Sequence, residues 1–148
     1  MKNYLLIAIF TAAVFLGSAQ TASACSCLMP GPGVSLKTQV REAKTSATAI
    51  FTGKVVSIRF SDEKMDGQPV KAYAKIAVTR SWKGPLSEFI EVETANICCL
   101  CGVTFEDGKT YIIYSNSTDP TSLGVNSCSR TAQITTKSPD EKYLGKAR

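Results

Sequence analysis

The chain has 148 residues, six cysteines, no histidine and a formal net charge of +5 at pH 7. The missing imidazole excludes Ser-His and Cys-His nucleophilic machinery and histidine-containing zinc sites, and a mild positive charge scattered along the sequence calls for no nucleic-acid partner. Carboxylates are sparse and sit on turn-like stretches such as Asp62-Glu63 and Glu106-Asp107, so the chain reads as a non-enzyme that needs no cofactor.

In chain order, residues 1–24 have the form of an export signal: one cation, Lys2, an apolar run from Tyr4 to Leu16, and Ala22-Ser23-Ala24, the small-x-small pattern that signal peptidase cuts after. That run is shorter than the roughly 20 residues that span a bilayer, as is every later apolar stretch, so no transmembrane span is expected. Residues 25–148 then form one domain, either secreted or retained in the periplasm or cell envelope. All six cysteines (Cys25, Cys27, Cys98, Cys99, Cys101 and Cys128) fall in that part. An even count in an exported chain reads as a disulfide framework before a metal site, with the pairing left open.

The Pro- and Gly-rich stretch Cys25-Ser26-Cys27-Leu28-Met29-Pro30-Gly31-Pro32-Gly33 predicts an extended, irregular segment. Val34, Leu36, Val40, Ala43 and Ala47 stand near helical spacing and predict one amphipathic helix over residues 34–48. Residues 49–60 read as a strand, and Asp66-Gly67 as the turn into a second arm. There Val70, Ala72, Ala74, Ile76 and Val78 alternate with more polar residues and should face the core. Trp82-Lys83-Gly84-Pro85 breaks that strand; residues 89–94 and 110–115 give two more, separated by the turn Glu106-Asp107-Gly108-Lys109. A last strand is expected within residues 123–134, and a short terminal helix with Ser138 as N-cap, Pro139 at its first position and Glu141 at its third. This pattern suits a small closed or partly open β-barrel.

Cleavage after Ala24 makes Cys25 the new N-terminus. Cys25-Ser26-Cys27, the helix after it, Phe51-x-Gly53-x-Val55, Trp82-Lys83-Gly84, Cys101-Gly102, Gly108-Lys109-x-Tyr111 and Cys128 resemble, in that order, the N-terminal inhibitory domain of the tissue inhibitors of metalloproteinases. The likeness runs over nearly all of residues 25–148 and rests on the order of short motifs and the terminal Cys-x-Cys. It implies a single-domain, bacterial-type member: a mainly β, five- to six-stranded netrin-like OB-fold barrel with one early helix and a short C-terminal one, stapled by disulfides. The implied function is a secreted inhibitor of zinc metalloendopeptidases.

The resemblance assigns roles residue by residue. Cys25 would chelate the zinc of the target protease, in the complex only, through its α-amino nitrogen and carbonyl oxygen. Catalytic zinc keeps an open coordination position, and an N,O chelate fills it while leaving no activated hydroxide. An α-amino group titrates at about 8, so zinc can complete its deprotonation. Ser26 would point into the primed-side specificity pocket, Cys27 would lie along the cleft, and Cys99 and Leu100 would meet its non-primed side. Disulfides Cys25–Cys101 and Cys27–Cys128 would hold the segment rigid before binding.

The family's third disulfide has no counterpart, because no cysteine lies between Cys27 and Cys98. Cys98 and Cys99 are left to pair with each other, to exchange with Cys101, or to remain thiols that cross-link chains or bind a soft metal. A thiolate copper or zinc site at Cys98-Cys99-x-Cys101 is the less economical reading. Cys25 and Cys27 also serve as plain staples, and the alternative function is a non-inhibitory cell-envelope module of the same fold, lipid-anchored at Cys25. The anchor is not favoured, because Ala22 stands where lipoprotein signals carry a larger aliphatic residue. Trp82, Tyr111 and Tyr114 read as core ahead of a stacking face for bases, and Asn116-Ser117-Thr118 fits the N-glycosylation acceptor pattern.

Overall fold

The computed structural model describes residues 25–28, 30–97, 100–119 and 122–148. The expected export signal, residues 1–24, lies outside the described residues.

Helix α1 spans Leu36–Ser46 and begins later than the apolar spacing predicts, because the Ser35 hydroxyl accepts the Thr38 N–H at 3.2 Å and closes the helix there. Its inward face carries Val40, fully buried, with Leu36 and Ala43 partly so. The helix stops when Ala47 turns extended, and the Thr48 N–H already binds the Ser115 carbonyl at 2.8 Å.

The strands are β1 (Ala49–Phe60), β2 (Lys64–Met65), β3 (Gln68–Pro69), β4 (Lys71–Lys83), β5 (Phe89–Ala95), β6 (Thr110–Asp119), β7 (Ser122–Gly124) and β8 (Ala132–Ile134). The molecule is mainly β. β1, β4, β5, β7 and β6 pair in that order, and β6 pairs back with β1, so five strands close a ring with β8 attached outside it to β6. Within the ring only β5 and β7 run parallel among the described residues. β2 and β3 form a separate small hairpin at the far end of β1. Its turn is Asp66-Gly67, both at positive φ (50° and 79°), the backbone that a tight two-residue connection demands.

Two apolar cores follow from the two faces of β1 and β6. Ala49, Phe51, Val55, Tyr111 and Ile113 point into the ring with Ala74, Ile76, Ile90 and Val92. Ile50, Ile112 and Tyr114 have the opposite parity and pack under α1 and the short helix α2, Glu141–Leu144, beside Trp82 and Leu144. That double burial explains why residues 49–53 are a nearly unbroken apolar run. In β4, Ala72, Ala74 and Ile76 are buried as the alternation predicts, and Val78 packs at the edge of the same cluster, whereas Val70 lies outside the strand.

Three expectations are corrected. Residues 123–134 are not one strand: the Asn126 side chain accepts the N–H groups of Cys128 and Ser129, both at 3.0 Å, and folds the chain back between β7 and β8. β6 also runs past Ser115 because its second half finds a partner in β7. At the C-terminus the Ser138 hydroxyl accepts the Asp140 N–H at 3.3 Å and Glu141 accepts the Ser138 N–H at 3.2 Å. These bonds form a turn ahead of the helix, and the expected start is corrected: Asp140, not Ser138, is the N-cap, without a side-chain cap bond, and Glu141 is the first helical residue rather than the third, with Pro139 outside the helix.

Candidate functional site

The N-terminal segment is held by two disulfides, Cys25–Cys101 and Cys27–Cys128, the pairs that the resemblance implies. Their distant ends are themselves joined, because the Ser127 N–H donates to the Cys101 carbonyl at 2.7 Å. The two staples therefore form one support beyond the end of β5. Cys25 and Cys27 are half-buried while Ser26 and Leu28 are exposed. This alternation gives the segment the side-chain pattern of a strand with one face on the protein and the other to solvent. Leu28 projects completely, and Leu100, also exposed, precedes the first staple's anchor.

The anchors are positioned by specific local chemistry. Cys101 sits at φ 55°, in the left-handed region that side chains other than glycine rarely adopt. The next residue must be glycine: a Cβ on Gly102 would stand 1.8 Å from the Ala95 carbonyl oxygen. One residue on, the Val103 N–H donates to the Thr94 hydroxyl at 2.8 Å and ties this stretch to β5. Cys101-Gly102 is thus a backbone crossing pressed against the sheet.

Behind Cys128 lies a buried polar network. Arg130 grips Asp140 with two bonds, 2.8 and 2.7 Å, and reaches Gln39 on α1 at 3.0 Å. Tyr114 donates its hydroxyl to the same Asp140 carboxylate at 2.9 Å. Burial first, and then the hydrogen bond and charge of Asp140, push the Tyr114 phenol well above its ordinary value. Hydrogen bonding to Asp140 raises Arg130 further, against the opposing effect of burial. The network joins α1, β6, the loop after Cys128 and the start of α2, and so fixes the second staple to the core.

Of the residues singled out in the sequence, Cys25, Ser26, Cys27, Leu100, Cys101 and Cys128 come together at this end of the molecule. Cys98 and Cys99, with the cleft contact expected of Cys99 and the thiol and metal readings, lie outside the described residues. Among the described residues no group of three or more His, Cys, Asp or Glu side chains is arranged to hold a metal ion. Trp82, Tyr111 and Tyr114 are buried, each with a hydrogen-bonded polar tip, and so present no stacking face. Sequence reasoning missed Leu28, Ser127 and the Arg130 network. An apolar residue two places beyond Ser26, on the same face of an extended segment, was a signal for Leu28; the others depend on contacts that spacing does not encode.

No protein-family model matches the chain, and no curated protein matches it significantly. Also among the described residues, no helix is long and apolar enough to cross a membrane.

What the arrangement can do follows from its stiffness. A short extended segment, presented on two covalent anchors with Ser26 and Leu28 outward, can enter a groove made for an extended peptide without first losing chain entropy.

Proposed function

We propose that the chain is an exported inhibitor of zinc metalloendopeptidases, akin to the inhibitory domain of the tissue inhibitors of metalloproteinases, and that its ring of strands is an OB-type barrel. The ring order supports the second point: taking its strands in chain order, the first pairs with the second and fourth, and the third lies parallel to the fifth, a Greek-key connectivity suited to such a barrel. The observation that carries the functional reading is the Cys25–Leu28 segment, alternately anchored and exposed, on disulfides Cys25–Cys101 and Cys27–Cys128.

In this reading, export and cleavage after Ala24 convert the Cys25 nitrogen into an α-amino group beside its own carbonyl. The two atoms form a five-membered chelate on the open position of the peptidase zinc and displace the water that would attack a peptide bond. Ser26 enters the primed-side pocket, and Leu28 extends the contact along the same side. Leu100 meets the opposite side. The inhibitor makes and breaks no bond.

The test is intact-mass and N-terminal analysis of the exported protein, coupled to inhibition of a panel of zinc endopeptidases. An unacylated Cys25 at the N-terminus together with inhibition is expected. An acyl or diacylglyceryl mass on Cys25, or an N-terminus elsewhere, contradicts chelation and favours a lipid-anchored envelope module.

A further inference from the structure

Where β1 and β5 finish and β4 begins, the ring opens into a cleft of about 390 Å³. Ile58, Phe60, Ile97 and Phe105 give it an apolar wall, and Cys25 itself lines it. Phe60, the last residue of β1, is 54% exposed, whereas Phe51 and Phe105 of the ring core are buried. An exposed aromatic on the rim of a concave apolar site is the kind of residue that anchors interfaces, because it brings large area at little cost in conformational freedom.

Cys25, the residue proposed to chelate, is part of the cleft's wall. A zinc–nitrogen bond is about 2 Å long, so a peptidase bound through the Cys25 nitrogen brings the rim of its zinc site against this opening. We propose that the cleft, with Phe60 as its anchor, receives an apolar side chain from the rim of the peptidase's active-site groove and thereby selects among zinc peptidases. The inference rests on the functional reading above. A peptidase carrying a charged side chain at that place would have to strip it of water without a partner and would be disfavoured. Selection therefore does not reside in Ser26 alone, whose small side chain distinguishes little.

The experiment measures inhibition constants of the mature chain, of Phe60→Ala, which removes the anchor, and of Thr104→Trp, which fills the cleft from an exposed lining position. An Ala-extended N-terminus is run alongside on the same panel, and thermal unfolding identifies the variants that keep the parent's stability. Each such variant is expected to raise the inhibition constant about tenfold for the most tightly inhibited peptidases and less for the others, while the extension abolishes inhibition throughout. Inhibition within about twofold of the parent on every peptidase, by a folded Phe60→Ala or Thr104→Trp, overturns the cleft and leaves the chelation reading standing. A parent that inhibits none of the panel overturns both.

Discussion

Gly102 has no room for a side chain, and Cys101 beside it holds a backbone conformation that costs energy. Gly102→Ala should therefore push residues 101–103 off β5 and destabilise the mature chain by about 3 kcal/mol in urea unfolding; an unchanged midpoint would show that the crossing is looser than described. Asp140 is buried and holds both Arg130 and Tyr114. Arg130→Ala leaves that carboxylate without its cation and should cost about 3 kcal/mol. Tyr114 sets a limit at alkaline pH. Its folded phenol stays protonated above the ordinary value of 10.0 while the unfolded chain releases the proton. The unfolded state then binds fewer protons, so stability falls as pH rises past 10. Tyr114→Phe, less stable at neutral pH by about 1 kcal/mol for its lost bond, should lose less than the parent between about pH 9 and 11. Equal losses in urea titrations would contradict the assignment.

The elements that hold the site divide into those written in the sequence and those made only by folding. The alternation of Ala72, Ala74 and Ile76 and the Asp66-Gly67 turn are local patterns, and they give β4 and the small hairpin directly. Trp82-Lys83-Gly84 ends β4 for a reason that spacing does not reveal: Gly84 adopts φ 91°, and a Cβ there would stand 2.4 Å from that of Ala49. The split of residues 123–134 into β7 and β8 depends on one Asn126 side chain that a propensity reading overlooks. Gln39 and Arg130 meet across 91 positions, so the network behind Cys128 had no sequence signature. Cys27 and Cys128 are 101 positions apart, but with Cys25–Cys101 closed the second staple completes a loop of only about 30 residues through that bridge, which should stabilise by about 3 to 4 kcal/mol on the chain-entropy model. Replacing both Cys27 and Cys128 by Ser should remove that amount in urea unfolding. The doubly substituted chain should also inhibit more weakly than the parent, since the segment must then be ordered on binding.

At the scale of the whole molecule, the N-terminal segment lies between the helix-covered core and the cleft in the ring. α1 and α2 cover Ile50, Trp82, Ile112 and Tyr114 with a second core, and the second staple lies beside them, where Cys27, Leu28 and Cys128 share a groove with Gln39, Ala43 and Asp140, whereas Cys25 borders the open cleft of the ring. The two disulfides and the Arg130 network behind Cys128 tie that short segment to the core. In the proposed function the Cys25 nitrogen and carbonyl chelate a peptidase zinc. Chelation is tested most directly by comparing inhibition by the chain that begins at Cys25 with inhibition by the same chain carrying one additional Ala ahead of it, both with matched thermal unfolding. The extension is expected to abolish inhibition, because the nitrogen becomes an amide that cannot bind zinc; inhibition retained by the extended chain would contradict chelation.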